Sequence, residues 1–145
     1  MKIAIGADHQ GFDQKEFIKN NMSLPVEWVD VGTTDTQRTD YPKYAKRVAE
    51  LIQKKEVDYG ILLCATGIGM AIAANRFAGI YAGLVWNEEI ALLAKEDDNV
   101  NVLVIPSAFV STDRLIPIIT GWIEADFKGA RYQERLNTID QWGGL

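Results

Sequence analysis

The stretch Val57-Asp58-Tyr59-Gly60-Ile61-Leu62-Leu63-Cys64-Ala65-Thr66-Gly67-Ile68-Gly69-Met70 runs from a nearly unbroken apolar segment into the only cysteine of the chain. A threonine and two glycines follow at once, and then a helix-like segment ending at Arg76. Apolar runs of this length suit a central parallel strand covered on both faces. A strand that feeds a tight turn onto a helix start aims several backbone N–H groups at one spot and favours negative charge there. A thiol beside that spot is expected to have a lowered pKa. The same cysteine alone reads more simply as a core residue, since free cysteine is among the most buried types. Its position at the strand's exit favours the functional reading.

Working outward, short strands and helices alternate. Strand patterns cover 2–7, 26–31, 57–64, 80–85 and 100–105. Helix patterns cover 11–21, 42–55, 67–76, 87–95 and 112–127. Asn87 suits an N-cap, with Glu88 and Glu89 in the first turn. The pattern predicts an α/β protein, a Rossmann-like three-layer fold with a five-stranded parallel sheet. One domain over 1–145 is expected, with a C-terminal helical tail from about residue 112 at a subunit interface.

In such sheets ligands bind outside the carboxyl ends of the strands. Asp8-His9 follows the first strand and Cys64-Ala65-Thr66-Gly67 the third, while Arg38 to Pro42 lies in the loop after the second. Asp97-Asp98-Asn99 precedes the fifth, and these groups are expected to gather at one edge. Each has a plainer reading: Asp8 as a helix cap, Gly67 and Gly69 as packing glycines, Arg131 and Arg135 as solvated charges. The two arginines are spaced i, i+4, so one helical face can present both to a phosphate.

Composition narrows the classes. A net charge of −5 argues against a nucleic-acid partner held by a broad basic surface. One cysteine and one histidine leave no internal disulfide and no Cys/His zinc site. No apolar run approaches the roughly 20 residues needed to span a bilayer, and the start does not resemble a signal peptide. A soluble cytoplasmic protein without membrane partners is expected. The glycine turn is neither GxGxxG after a first strand nor GxxxxGK[ST], so nucleotide binding loses its usual support.

Taken together, the segments resemble the ribose-5-phosphate isomerase B / galactose-6-phosphate isomerase family. They are Gly6-Ala7-Asp8-His9-Gln10-Gly11-Phe12, Asp40-Tyr41-Pro42, Cys64-Ala65-Thr66-Gly67-Ile68-Gly69-Met70, Ala73-Ala74-Asn75-Arg76, Asn99-Val100-Asn101-Val102-Leu103 and Gly129-Ala130-Arg131-Tyr132-Gln133-Glu134-Arg135. The resemblance implies an aldose–ketose isomerase acting through a cis-enediolate, with ribose 5-phosphate to ribulose 5-phosphate as the first expectation. Cys64 then matches the base between C1 and C2. Thr66 and the N–H groups of Ala65, Gly67, Ile68, Gly69 and Met70 match the enediolate hole, and Asp8 matches the carboxylate that shuttles the proton between O1 and O2. His9, Arg131 and Arg135 match phosphate ligands; Tyr41 and Asn99 join the substrate contacts from the matching segments. The family implies no metal, no organic cofactor, and a dimer or dimer of dimers whose sites use two chains.

The chain also departs from that pattern. The histidine that opens the furanose ring in the ribose-type enzymes aligns with Asp97, and the following asparagine with Asp98. A family arginine aligns with Ala108, and Tyr132 replaces a histidine. Arg38-Thr39 and Lys95-Glu96 resemble the cysteine-bearing subunit of galactose-6-phosphate isomerase. Alternatives are therefore a subunit of that two-subunit enzyme, an isomerase of allose 6-phosphate or a tetrose 4-phosphate, or a sugar-phosphate-binding subunit that has lost catalysis. Asp97 is expected to open the ring unless the substrate needs no opening.

Overall fold

The central strand β3 (Tyr59–Cys64) is buried from Gly60 to its end, as its apolar run demands. The computed structural model describes residues 1–142. β1 (Lys2–Ala7) and a later strand, β5 (Val102–Pro106), flank β3. β2 (Glu27–Asp30) and β4 (Ala82–Leu84) form the edges. The order is β2-β1-β3-β5-β4, and every pairing is parallel. β1 matches its sequence pattern, while the other four strands are shorter than theirs; apolar residues at the ends of three of those patterns, Val57, Ile80 and Val100, are buried outside the ladder.

Helices cover both faces. α1 (Phe12–Asn21), α4 (Glu88–Asp98) and α5 (Thr112–Glu124) share one core with Ile3, Ile5, Ile61, Leu63, Leu103 and Ile105. α2 (Pro42–Gln53) and α3 (Ile68–Ala74) share the other with Ala4, Leu62, Cys64, Val102 and Val104. The alternation of neighbouring strand residues between the two cores is the period-two geometry of a strand covered on both sides. α6 (Arg131–Asp140) follows α5 and packs on α4.

Several local devices agree with the sequence. Asn87 caps α4, its side-chain oxygen accepting the Ile90 N–H at 2.9 Å. The α1 cap is Gly11 rather than Asp8. Lys15 is almost fully buried and ties α1 to β2 through Asp30 at 2.6 Å. α5 belongs to the core, with Leu115, Ile118, Ile119 and Trp122 fully buried, and the Trp122 indole N–H donates to the Val100 carbonyl at 2.9 Å. The C-terminal tail expected from residue 112 thus shortens to α6. No helix among the described residues is long and apolar enough to cross a membrane.

The chain leaves β1 for α1 on one face and leaves β3 for α3 on the other. The carboxyl ends of these adjacent strands therefore border a crevice at the switch point of the sheet.

Candidate active site

Asp8 and Cys64 occupy that crevice. Asp8 follows β1, and its backbone N–H donates to the Leu63 carbonyl at 3.3 Å, which fixes it beside the end of β3. Its carboxylate accepts the Gln10 N–H at 2.9 Å and is largely buried. A cleft of about 470 Å³ is lined by Asp8, Tyr41, Cys64, Ala65, Thr66, Ile68, Gly69 and Ile72. The predicted base, the carboxylate and the glycine turn thus share one cavity.

The turn is built by its glycines. Gly67 has φ +73°, the left-handed conformation that glycine adopts without a steric penalty, and a side chain there would also overlap Leu84. A side chain at Gly69 would overlap the Tyr41 ring, so the bare glycine lets that ring lie over the turn. Ala65 is not among the residues with positive φ, so alanine fits this position and keeps its N–H.

The electrostatics of Cys64 differ from expectation. Burial pushes the thiol pKa up, and the charge of Asp8 pushes it further. The backbone N–H groups of Met70, Gly67 and Thr66 favour the thiolate and pull the other way, but desolvation prevails. The lowered pKa expected from the helix start is thus corrected: α3 has only seven residues, and its donors are outweighed by the loss of water around the sulfur. The amides are also not all open for a substrate oxygen. Three face the sulfur, and the Ile68 N–H donates to Thr66 Oγ1 at 3.3 Å. The Thr66 O–H, on an exposed side chain, is free to donate into the cleft. Gly69, in the first turn of α3, has no intrahelical acceptor for its N–H.

His9 lies in a turn, closed by the Gly11 N–H donating to the Asp8 carbonyl at 3.1 Å, rather than in the extended segment expected from sequence. His9 Nδ1 accepts the Thr39 N–H at 3.2 Å, and Thr39 Oγ1 lies 2.9 Å from the Tyr44 hydroxyl. This chain of bonds holds the loop before α2 over the crevice. With Nδ1 an acceptor, the neutral ring carries its proton on Nε2, from which it can donate to an anion. Arg38 is exposed and takes no part in the hydrogen bonds or ion pairs found among the described residues.

The other predicted residues lie elsewhere in the chain. α4 runs back from the end of β4 to the start of β5, so Asp97, Asp98 and Asn99 sit at the amino edge of the sheet. A strand the length of β5 separates them from the Cys64 edge, about 17 Å for five residues. The expectation that Asp97-Asp98-Asn99 joins the carboxyl-edge groups within one chain is therefore corrected. Asn99 is the left-handed C-cap of α4, with φ +49°. Arg131 and Arg135 also reach this corner, because the Lys128 N–H donates to the Glu96 carbonyl at 2.9 Å just before α6. Lys128, Arg131 and Arg135 crowd the Tyr132 ring at 5.1, 5.0 and 5.1 Å from its centroid. Lys128 Nζ also pairs with Asp97 Oδ1 at 2.7 Å. Lys128 was not among the residues singled out from sequence; it precedes α6 and shares no helical face with the two arginines, so no spacing signals it. A larger groove of about 650 Å³ runs between the α3–β4 connection and α6, away from Cys64. Its walls do not contain the thiol or Asp8, so the smaller cleft is the candidate site of chemistry.

Comparison with known proteins adds to this geometry. A family model described as Ribose/Galactose Isomerase matches residues 3–139. Ribose-5-phosphate isomerase B of Escherichia coli K12 is 42% identical over 139 residues, covering 95% of this chain and 93% of the relative. A ribose 5-phosphate isomerase from Thermotoga maritima superposes with TM-score 0.94 at 41% identity, covering 97% of both chains. The ribose-5-phosphate isomerase B of Mycoplasma genitalium, solved with bound ribulose 5-phosphate, has TM-score 0.87 at 36% identity, covering 97% of this chain and 95% of that one.

Proposed function

This chain belongs to the ribose/galactose isomerase family, and on that premise we propose that it interconverts ribose 5-phosphate and ribulose 5-phosphate through a cis-enediolate. It is an aldose–ketose isomerase. The observation that carries the reading is Cys64 in a cleft beside Asp8, ringed by the amides of Thr66, Gly67 and Met70.

The proton transfer follows from this arrangement. Cys64 rests as a thiol, and its thiolate, stabilised by the three amides, takes the C2 proton of the open aldose and returns it to C1. Asp8 moves the hydroxyl proton between O1 and O2. The Thr66 hydroxyl and the Gly69 N–H donate to the charge that develops on oxygen; losing one such donor typically costs about 3 kcal/mol of transition-state stabilisation. Tyr41 roofs the turn. The His9 Nε2–H donates to the phosphate, whose remote binding energy holds the reacting carbons in place.

The remaining groups reach the substrate from a second copy of the chain. Arg131 and Arg135 then bind the phosphate, Asp97 opens the furanose ring and Asn99 closes the wall. Two observations support a shared site: these residues lie a sheet's length from Cys64 in their own chain, and Ile68 and Ile72, which line the cleft, are 55% and 58% exposed. α6 lies at this subunit contact, as part of a single isomerase domain. A free thiol base suits a reducing compartment, the cytoplasm.

Side-by-side assays of ribose 5-phosphate, galactose 6-phosphate, allose 6-phosphate and a tetrose 4-phosphate test the substrate. The expected outcome is preference for ribose 5-phosphate and a loss of about 100-fold or more in kcat for Cys64→Ser. Unchanged turnover in that variant removes Cys64 as the base.

A further inference from the structure

Ribose 5-phosphate closes into a furanose, and no aldose–ketose isomerisation begins until that ring opens. Opening needs a base at the anomeric hydroxyl and an acid at the ring oxygen. Both oxygens sit on one carbon, so the acid and the base must themselves be neighbours.

Lys128 and Asp97 are such neighbours. Nζ and Oδ1 lie 2.7 Å apart, with side chains 44% and 31% exposed, so both polar groups remain open to a ligand. Glu96 lies farther from the ammonium, at 3.9 Å. An exposed ion pair of this kind adds little to stability. The pair is instead placed beside the two phosphate-binding arginines, all three cations lying about 5 Å from the centre of the Tyr132 ring. In the substrate, the carbon bearing the phosphate ester is bonded to the carbon bearing the ring oxygen. A group that reaches that oxygen must therefore adjoin the phosphate ligands.

We propose that Lys128 and Asp97 form the acid–base pair that opens the furanose ring, with Lys128 as a catalytic residue in its own right. The proposal rests on the reading that this corner meets the Cys64 cleft of a second copy. In the forward step the Asp97 carboxylate takes the proton of O1, and the O–H electron pair becomes the second bond of C1=O1. The bond from C1 to the ring oxygen breaks, its electron pair stays on that oxygen, and Lys128 delivers a proton there. The neutral amine then recovers a proton from the protonated Asp97 beside it. No net proton is gained or lost, and no co-reactant is needed. The hydrogen bond and charge of Asp97 hold the Lys128 pKa above the ordinary lysine value, so the acid is always loaded.

The test uses 2-deoxyribose 5-phosphate, which forms furanose anomers but lacks the C2 hydroxyl needed to isomerise. Exchange between its anomers, followed by NMR, reports ring opening alone. The unaltered enzyme is expected to accelerate exchange. Asp97→Asn and Lys128→Met are each expected to lower that acceleration by about 100-fold. Lys128→Arg is the deciding variant, because it keeps the charge and the ion pair but does not release a proton. It should bind the sugar phosphate as the parent does and still lose exchange. Exchange retained in Lys128→Arg, or no acceleration by the unaltered enzyme, overturns the proposal. The parallel assay with ribose 5-phosphate separates the two readings. Isomerisation without catalysed exchange defeats only the pair, and catalysed exchange without isomerisation defeats only the isomerase reading.

Discussion

Cys64 is a buried thiol flanked by the backbone amides of the glycine turn and by the Asp8 carboxylate, and these influences oppose one another. Burial and Asp8 favour the protonated form, while the amides favour the thiolate. In the proposed mechanism the thiolate is the active form, so activity is expected to rise with pH through a pKa above the ordinary thiol value of about 8.5. Alkylation of Cys64 by iodoacetamide should show the same alkaline limb without depending on turnover. Asp8→Asn removes the repelling charge and should move that limb to lower pH; a limb that stays put shows that Asp8 does not act on the sulfur. The placing of Cys64 beside Asp8 and the glycine turn was legible in the sequence, because it stands at a strand exit just before Thr66-Gly67-Ile68-Gly69. The sign of its pKa shift was not. Sequence displays the donors of a helix start but not the water removed by Tyr41, Met70 and the strands around the sulfur.

Elements decide where those residues point. The strands, and helices such as α4, follow from apolar periodicity and from Asn87, whose cap bond ends the ambiguity of where α4 begins. Asn87→Ala should cost about 1 kcal/mol of unfolding free energy in denaturant titration. The edge at which Asp97 lies is fixed by a simple rule of parallel sheets: residues just before a strand stand at its amino edge, opposite those just after one. Adjacency to β5 in sequence gave those residues a place beside a strand, but the direction of α4 sets the end. α6 is pinned at its far end to Tyr81, just before β4; the Tyr81 hydroxyl donates to Asp140 at 2.7 Å. Burial first, and then Asp140, push the Tyr81 pKa up to about 12. In ultraviolet titration Asp140→Asn should bring one tyrosine down toward its ordinary value, about 10. An unchanged titration shows that α6 is not held there by this contact.

At the scale of the molecule, the residues of the proposed site fall on opposite edges of one sheet. The carboxyl edge holds Asp8, His9 and Cys64 with the glycine turn. The amino edge holds Asp97, Lys128, Arg131 and Arg135. In the proposed dimer a second copy brings one edge to the other, against a cleft whose outer wall is the exposed Ile68 and Ile72. This division is invisible to a one-chain reading of the sequence, where all these residues simply recur in order. The direct measurement is complementation between two inactive variants, Cys64→Ser and Arg131→Met, unfolded together and refolded as a mixture. In a two-fold dimer half of the molecules are mixed, and each mixed molecule has one intact site, so the account predicts recovery of about a quarter of the parent ribose 5-phosphate isomerase activity. A mixture no more active than its two components contradicts it.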